Sequence, residues 1–468
     1  MKKYKMIIGG KNNNAICPDT FPITNPSTGD VFCEVEKARP ADVDKAVVTA
    51  RNAFNSWHTS NPCQRALILE RTGNLIEEHA ELFIDTITEE IGMPIKYCRE
   101  WQVDNSISEA HYYAKIVKQY PFEKHTPNGV IRREPYGVTA LMTPWNYPLD
   151  QITLKAFPAI AAGNTVIVKP SRKAPLSALI LAKLMKKAGL PDGVFNVVTG
   201  LGNELGDYLA THPDIRCFSF TGSTQVGLRI GALSTSSNAK HTILEMGGKS
   251  AILLLRSGDA KKAVKEAATS VFINSGQTCC AFTRLLIPKE KKEEIENYLV
   301  QIINSYKVGN PKNPATDIGP VVSKQAYDKI NAYITSARDE QMTIITSENE
   351  IPERGWYIKP TAIIGASAEM KIAKEEIFGP VLTVILYETE EEALQIANSL
   401  EYGLDGAVFG EQAEAEQIAR KMQAGNVHVN GAPYNISMPF GGYKQSGIGR
   451  EGGIEGFEEY LETKSIFI

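Results

Sequence analysis

No two cysteines in this 468-residue chain have the CxxC spacing of a zinc site or a redox motif. The seven cysteines are an odd number, scattered except for the neighbours Cys279 and Cys280. A disulfide framework and a metal site are therefore not expected, and the pattern suits a reducing cytoplasm. Charge of one sign is missing too. Fifty Lys and Arg face 54 Asp and Glu, a formal net charge of −4, which gives no reason to expect nucleic acid or an anionic membrane as partner. The longest uncharged stretches, 156–168 and 425–443, are short or broken by Gly, Pro and Asn, so neither is expected to span a bilayer. The amino terminus has lysines but no apolar run like that of a signal peptide. Internal repeats and low-complexity linkers are absent. What remains is an ordinary globular composition, 43% hydrophobic and 22% charged. The length suggests two substantial domains with room for a buried site.

From about Pro135 strands and helices alternate. Gly137–Thr143, Thr165–Lys169, Val194–Val198 and Ile215–Phe220 read as strands, the second of them rich in β-branched residues. Between and after them, Leu149–Ala162, Pro175–Ala188 and a segment from Ser223 onward read as helices. Units of about 30 residues in this order mean a parallel sheet covered on both faces. The chain before Pro135 reads as mainly helical, with 3.6-residue apolar spacing in Asp42–Ser56, Gln64–Glu78 and Glu81–Ile91. A second series follows Glu245. Its expected strands are Ser250–Leu255, Thr283–Pro288, Val381–Tyr387 and Gly425–Asn430. Its expected helices are Asp259–Asn274, with Asp259 as cap, Lys289–Ser305, Thr389–Ser399 and Ala413–Met422. Two α/β lobes meeting near Glu245–Gly248 is the economical reading.

Cys279 stands in Asn274-Ser-Gly-Gln-Thr-Cys-Cys-Ala281, where a Gly-Gln turn places a thiol between helix and strand. A lone cysteine is most often a small hydrophobe. A nucleophile needs a base and a place for developing charge. Glu245, in Ile243-Leu-Glu-Met-Gly-Gly-Lys249, is a carboxylate inside an apolar run at the seam between lobes. Asn146, in Thr143-Pro-Trp-Asn-Tyr-Pro148, is an uncharged donor at a strand end and can stabilise an oxyanion. Phe220-Thr-Gly-Ser-Thr-Gln-Val-Gly227 is a strand, a glycine turn and a helix start, a weak phosphate signal. Lys169 ends a strand where a nucleotide would cross the sheet; a surface lysine is the commoner reading.

Together these segments resemble the NAD(P)-dependent aldehyde dehydrogenase superfamily. The ordered set is Pro144-Trp-Asn-Tyr-Pro148, Gly163-Asn-Thr-Val-Ile-Val-Lys-Pro-Ser171, Phe220-Thr-Gly-Ser-Thr224, Leu244-Glu-Met-Gly-Gly-Lys249, Gly276-Gln-Thr-Cys279, Glu375-Glu-Ile-Phe-Gly-Pro-Val381 and Pro439-Phe-Gly-Gly-Tyr-Lys-Gln-Ser-Gly-Ile-Gly-Arg-Glu451. Glu245 and Cys279 are 34 residues apart, as in the family. The resemblance implies an α/β fold: a Rossmann-like cofactor domain (1–116 and 136–247), an α/β catalytic domain (248–446) and a small β oligomerisation arm (117–135 and 447–468). It implies a homodimer or homotetramer that oxidises an aldehyde to the acid through a cysteine thiohemiacetal and thioester. Cys279 would be the nucleophile, Asn146 the oxyanion donor and Glu245 the base that activates water. Trp145, Lys169, Gly222, Ser223, Glu376 and Phe378 would hold the cofactor, and Lys155 and Glu451 match positions linked to a proton path.

One departure concerns the cofactor. Arg172 stands where many NAD-using members carry a glutamate that repels a 2′-phosphate, so NAD or NADP is expected and Arg172 permits NADP. The alternative, Arg172 pointing to solvent with NAD as the main cofactor, stays open. Tyr147, Leu154, Tyr434, Met438 and Phe440 are candidate tunnel positions and lean towards a neutral aldehyde. Two other classes stand beside this reading: a CoA-acylating aldehyde dehydrogenase, against which Glu245 argues, and a non-catalytic structural member of the fold.

Overall fold

A computed structural model describes residues 1–468. The buried runs Val138–Met142, Thr165–Lys169 and Cys217–Thr221 are apolar or β-branched at nearly every position, as strands covered on both faces must be. They form the centre of an eight-stranded sheet. Its order is Gly447–Ile448, His241–Glu245, Cys217–Thr221, Val138–Met142, Thr165–Lys169, Phe195–Val197, Met6–Ile8 and Lys11–Asn13. The five middle strands are parallel and the outer pairings antiparallel. The helices that return the chain include Asp150–Ala162, stopped by Gly163 in the left-handed region (φ 105°), and Leu176–Lys187.

A seven-stranded sheet forms the second lobe, in the order Thr343–Thr346, Thr361–Ile364, Val381–Tyr387, Arg284–Pro288, Ala251–Leu254, Gly406–Phe409 and His428–Val429. All neighbours are parallel except the first pair. Helix Ala260–Phe272 begins as its cap implied, with the Asp259 side chain accepting from Lys262 N; such a cap stabilises by about 1 kcal/mol. Thr389 caps Glu390–Asn398 in the same way. The chain passes between lobes at Met246–Ser250, directly after Glu245.

A third sheet pairs Leu461–Phe467 with Gly129–Pro135 and Glu123–Thr126, all antiparallel. It is the hairpin and carboxyl-terminal strand that the resemblance implied. Gly447–Ile448, expected in that arm, instead pairs with Leu244 and Glu245 at the edge of the first sheet.

Three expectations are corrected. The chain before Pro135 is mainly helical as expected, but five strands that the sequence did not show, Lys2–Tyr4, Met6–Ile8, Lys11–Asn13, Thr20–Thr24 and Val31–Glu36, precede the helix Pro40–Trp57. Most are three residues long, too short to display a period of two. Gly425–Asn430 pairs only at His428–Val429, because Gly425 is wedged against a neighbouring loop: a Cβ there would lie 1.6 Å from the Gly441 carbonyl oxygen. The helix expected over Ala413–Met422 ends at Ala419.

Candidate active site

The segment that carries Cys279 is held in an unusual backbone shape. Asn274, Ser275 and Gly276 follow helix Ala260–Phe272 with φ of 49°, 57° and 75°. A non-glycine residue there costs on the order of 1–3 kcal/mol, so the surroundings must impose it. They do so through four hydrogen bonds. Asn274 Nδ2 donates to the Asn146 carbonyl (2.9 Å), and Ser275 Oγ to the Gly319 carbonyl (2.8 Å). Gln277 Nε2 donates to the Asn274 carbonyl (3.0 Å), and Gln277 Oε1 accepts from Val322 N (2.8 Å). At Gly276 a Cβ would meet the Gly379 carbonyl oxygen at 2.0 Å, so only glycine fits. The result is a half-buried Cys279 on a rigid turn.

Asn146 is buried beside this turn, and its Nδ2 donates to the Gln277 carbonyl (2.9 Å). An amide nitrogen carries two hydrogens, which leaves one for an oxygen formed next to the sulfur. Tyr147 is joined to Thr278 through a hydroxyl–hydroxyl bond of 2.7 Å. The Cys280 thiol is held well above its ordinary range by its hydrogen bond to Cys279 and by burial. It is thereby kept in its protonated form.

Glu245 ends strand His241–Glu245 with its side chain 3% exposed and neither carboxylate oxygen partnered. Glycines make its space: a Cβ at Gly441 would lie 2.5 Å from Glu245 Oε1, and one at Gly447 3.4 Å. Burial pushes this carboxyl well above the usual range, and the charge of Glu451 adds to that; Lys155 opposes it, and Cys279 is near enough to raise it further. Lys155 and Glu451 form a buried ion pair behind it, with Ser219 Oγ also donating to Glu451 (3.5 Å). Thus Cys279, Glu245 and Asn146 converge, and the polar pair Lys155–Glu451 lies beyond the base.

The other side of Cys279 offers a groove. Gly248 packs on the Cys279 carbonyl, where a Cβ would come within 2.8 Å. Gly247 packs on Glu376, whose carboxylate accepts from Gly248 N (3.3 Å). Phe378, at φ 62°, meets the Trp145 ring edge-on at 5.6 Å. Farther out, Gly222 and Ser223 turn the chain into helix Thr224–Asn238. The Ser223 side chain makes no capping bond, and the buried hydroxyls of Thr221 and Thr224 have no partner. Free amides and hydroxyls at the start of a 15-residue helix suit a phosphate. Lys169 is buried, donating only to the Pro170 carbonyl (3.2 Å). Lys173 stands 5.1 Å over the Trp145 ring and 3.3 Å from Ser323 Oγ. Arg172, between them, is exposed. Burial and the Arg172 charge lower both lysines to about 8. These residues fit a dinucleotide: unpartnered donors for its phosphates, cations at one end and a carboxylate with two aromatic rings at the other. No group of three His, Cys, Asp or Glu is placed to hold a metal ion.

The family model described as "Aldehyde dehydrogenase family" matches residues 13–466. The chain belongs to the aldehyde dehydrogenase family. A putative aldehyde dehydrogenase of Staphylococcus haemolyticus is 37% identical over all of this chain and 99% of its own length. Among solved structures, an alanine-for-cysteine mutant of aldehyde dehydrogenase C from Pseudomonas syringae, complexed with NAD+ and octanal, is 40% identical. It superposes with a TM-score of 0.97, over 99% of this chain and 96% of that one. The indole-3-acetaldehyde dehydrogenase of P. syringae, also a cysteine-to-alanine mutant, in complex with NAD+ and IAA, is 35% identical with a TM-score of 0.97, covering 100% and 97%.

Within this aldehyde dehydrogenase, Asn146, Tyr147 and Gly248 contact the Cys279 turn, Glu376 packs on Gly247 and Gly248, and Trp145 packs on Phe378. Of the tunnel positions, Tyr147 and Leu154 are buried, the Tyr434 and Phe440 rings meet edge-on at 6.2 Å, and Met438 is 59% exposed. Sequence reasoning missed Glu109 and Asp150, two buried carboxyls near Lys155, and the unpartnered Thr221 and Thr224. The helical spacing that places Glu109 near Asp150 is visible only once the helices Asn105–Gln119 and Asp150–Ala162 are packed together.

Proposed function

We propose that Cys279, Asn146 and Glu245 carry out the aldehyde oxidation of this NAD(P)-dependent aldehyde dehydrogenase as follows. The Cys279 thiolate attacks the aldehyde carbon, and the new oxyanion is held by the second Nδ2 hydrogen of Asn146 and the Cys279 N–H. NAD(P)+, when bound, supplies the hydride acceptor that converts the thiohemiacetal into a thioester. Glu245 then takes a proton from water as the water oxygen attacks the thioester carbon, and Cys279 leaves as thiolate with the acid released. A carboxyl raised above its usual range is the stronger base for that step. The shed proton passes towards the Lys155–Glu451 pair. The observation that carries this reading is Glu245: a buried carboxylate with no protein partner, close to the half-buried Cys279 that follows a strained turn.

Lys169, Gly222 and Ser223 would hold the adenosine and pyrophosphate end of the cofactor; Trp145, Glu376 and Phe378 would hold the nicotinamide end. Arg172 between two lysines, with no carboxylate among their partners, favours acceptance of a 2′-phosphate and therefore of NADP as well as NAD. The three-stranded arm exposes Ile466, Phe467 and Ile468 along an outer strand, which supports assembly as a homodimer or homotetramer. Apart from Gly447–Ile448, the domain division expected from the sequence is our reading, with the cofactor domain around the eight-stranded sheet. Seven unpaired thiols support a cytoplasmic location; no helix is long and apolar enough to cross a membrane. The test is turnover of butanal with each cofactor and no CoA. Butanoate and reduced cofactor in equal amounts are expected; a requirement for CoA, or no turnover of any aldehyde, overturns the assignment.

A further inference from the structure

The loop that carries Asn146 is short of backbone anchors. It runs from the strand end at Met142 to the helix start at Asp150, and its Pro144 and Pro148 have no N–H to donate. Towards the thiol it is fastened by three bonds: Asn146 Nδ2 to the Gln277 carbonyl, Asn274 Nδ2 to the Asn146 carbonyl, and Tyr147 to Thr278. At the helix end it is held by a side chain that the thiol chemistry leaves unused. Gln102 is fully buried, and its Oε1 accepts from both Leu149 N (3.1 Å) and Asp150 N (3.3 Å). Helix Asp150–Ala162 has no side-chain cap of its own, so Gln102 supplies the acceptor that a cap residue would. The amide is fixed in turn by its Nε2, which donates to Met93 Sδ (3.7 Å). Ser106 Oγ donates to the Gln102 carbonyl (2.7 Å) and lies 2.9 Å from Thr153 Oγ1 on the same helix. Gln102 stands in a π-turn, Arg99–Asp104, between the α-helical segments Ile95–Cys98 and Asn105–Gln119. Such turns are rare and recur at functional sites.

We propose that Gln102 is a positioning residue for the oxyanion: through the backbone of Leu149 and Asp150 it sets where Asn146 stands relative to Cys279. The inference rests on the role proposed for Asn146 and adds a residue to it. An oxyanion donor lowers the barrier only when it is already in place, because moving it during the reaction costs what the new bond returns. One Nδ2 hydrogen of Asn146 is tied to the Gln277 carbonyl and one is left for the new oxygen, so its reach depends on where the loop backbone sits. The Cys279 turn holds that backbone from one side and Gln102 from the other. Without the Gln102 oxygen, two N–H groups at the helix start lose their acceptor, and the loop end shifts to find another. The π-turn has a reason in this arrangement. One residue fewer would rotate position 102 by about 100° around the helix axis and turn its amide away from Leu149.

The experiment measures single-turnover formation of reduced cofactor by the whole enzyme with saturating NAD+ and butanal. Rates are expressed per NADH-binding site, so a reduced folded fraction does not enter. Gln102→Met keeps the volume and removes the acceptor; it should slow the step about 10- to 100-fold, a part of the loss expected for Asn146→Ala. Gln102→Glu keeps an oxygen in the same place and should recover most of the rate. Alkylation of Cys279 by iodoacetamide, which forms no oxyanion, should stay within about threefold of the wild type in both variants. In an Asn146→Ala background, Gln102→Met should change the rate less than about threefold, because the group it positions is gone. Equal factors in the two backgrounds overturn the inference while the thiol reading stands, and so does a loss smaller than threefold for Gln102→Met. Alkylation that falls in step with turnover overturns it too, since that marks a general loss of structure. Asn146→Ala as fast as the wild type overturns the oxyanion reading and this inference with it.

Discussion

The two regions that flank Cys279 gather titratable groups of opposite kind. On the cofactor side Lys169, Arg172 and Lys173 stand together with no carboxylate among their partners. Around Glu245 the carboxyls of Glu109, Asp150 and Glu451 gather near a single lysine, Lys155. Packing alone would not favour either arrangement, because a buried charge without a partner is destabilising. The lysines and the arginine suit the anionic dinucleotide proposed above. The neutral donors of Asn146 and the left-handed turn at Asn274–Gly276 lie between the two, where charge appears only during reaction.

Reversing the cofactor side should have the larger effect. Arg172→Glu puts a carboxylate where a 2′-phosphate would lie, and kcat/KM with NADP+ should fall about 10- to 100-fold, the worth of a charge-assisted hydrogen bond. Activity with NAD+ should be retained or raised. Equal changes with both cofactors would mean that Arg172 does not face the ribose.

A smaller effect tests a buried ion pair away from the thiol, His428–Asp405. His428 Nε2 lies 3.4 Å from Asp405, and its Nδ1 donates to the Ala432 carbonyl (2.6 Å), so the pair anchors the loop that carries Tyr434. Asp405 raises His428 to about 9. The native state therefore keeps this proton above pH 6.5, where the unfolded chain loses it. The contribution is full below about pH 6.5 and is lost as pH rises through about 9. Denaturant unfolding of the wild type should lose on the order of 1–2 kcal/mol more than His428→Gln between pH 7 and 9.5. Parallel pH profiles for the two proteins would remove the pair from the account.

Legibility in the sequence followed the same division. Strands such as Thr165–Lys169 were readable because burial on both faces leaves an unbroken β-branched run, and the Asp259 cap because a cap is a local interaction. The amino-terminal strands were not: Met6–Ile8 has three residues, and Thr20–Thr24 contains Pro22. In the site, Cys279, Glu245 and Asn146 stood out because each is a polar residue beside glycine or proline, where chain direction changes. Glu109 and Asp150 have no such surroundings. Glu109 lies between Ser108 and Ala110 on an amphipathic helix and resembles a solvated residue until the neighbouring helix covers it. Lys155 was legible only through the family resemblance, since a lysine inside Leu154–Ala156 gives no sign that Glu451 awaits it.

The central claim is that Cys279 and Glu245 act in turn on the same carbon. Intact-mass analysis of Glu245→Gln after mixing with aldehyde and oxidised cofactor tests it directly. Without its base the enzyme should form one equivalent of reduced cofactor and stop, with one acyl group per chain mapped to Cys279. Continued turnover at the wild-type rate, or an acyl group on Cys280 instead, would contradict it.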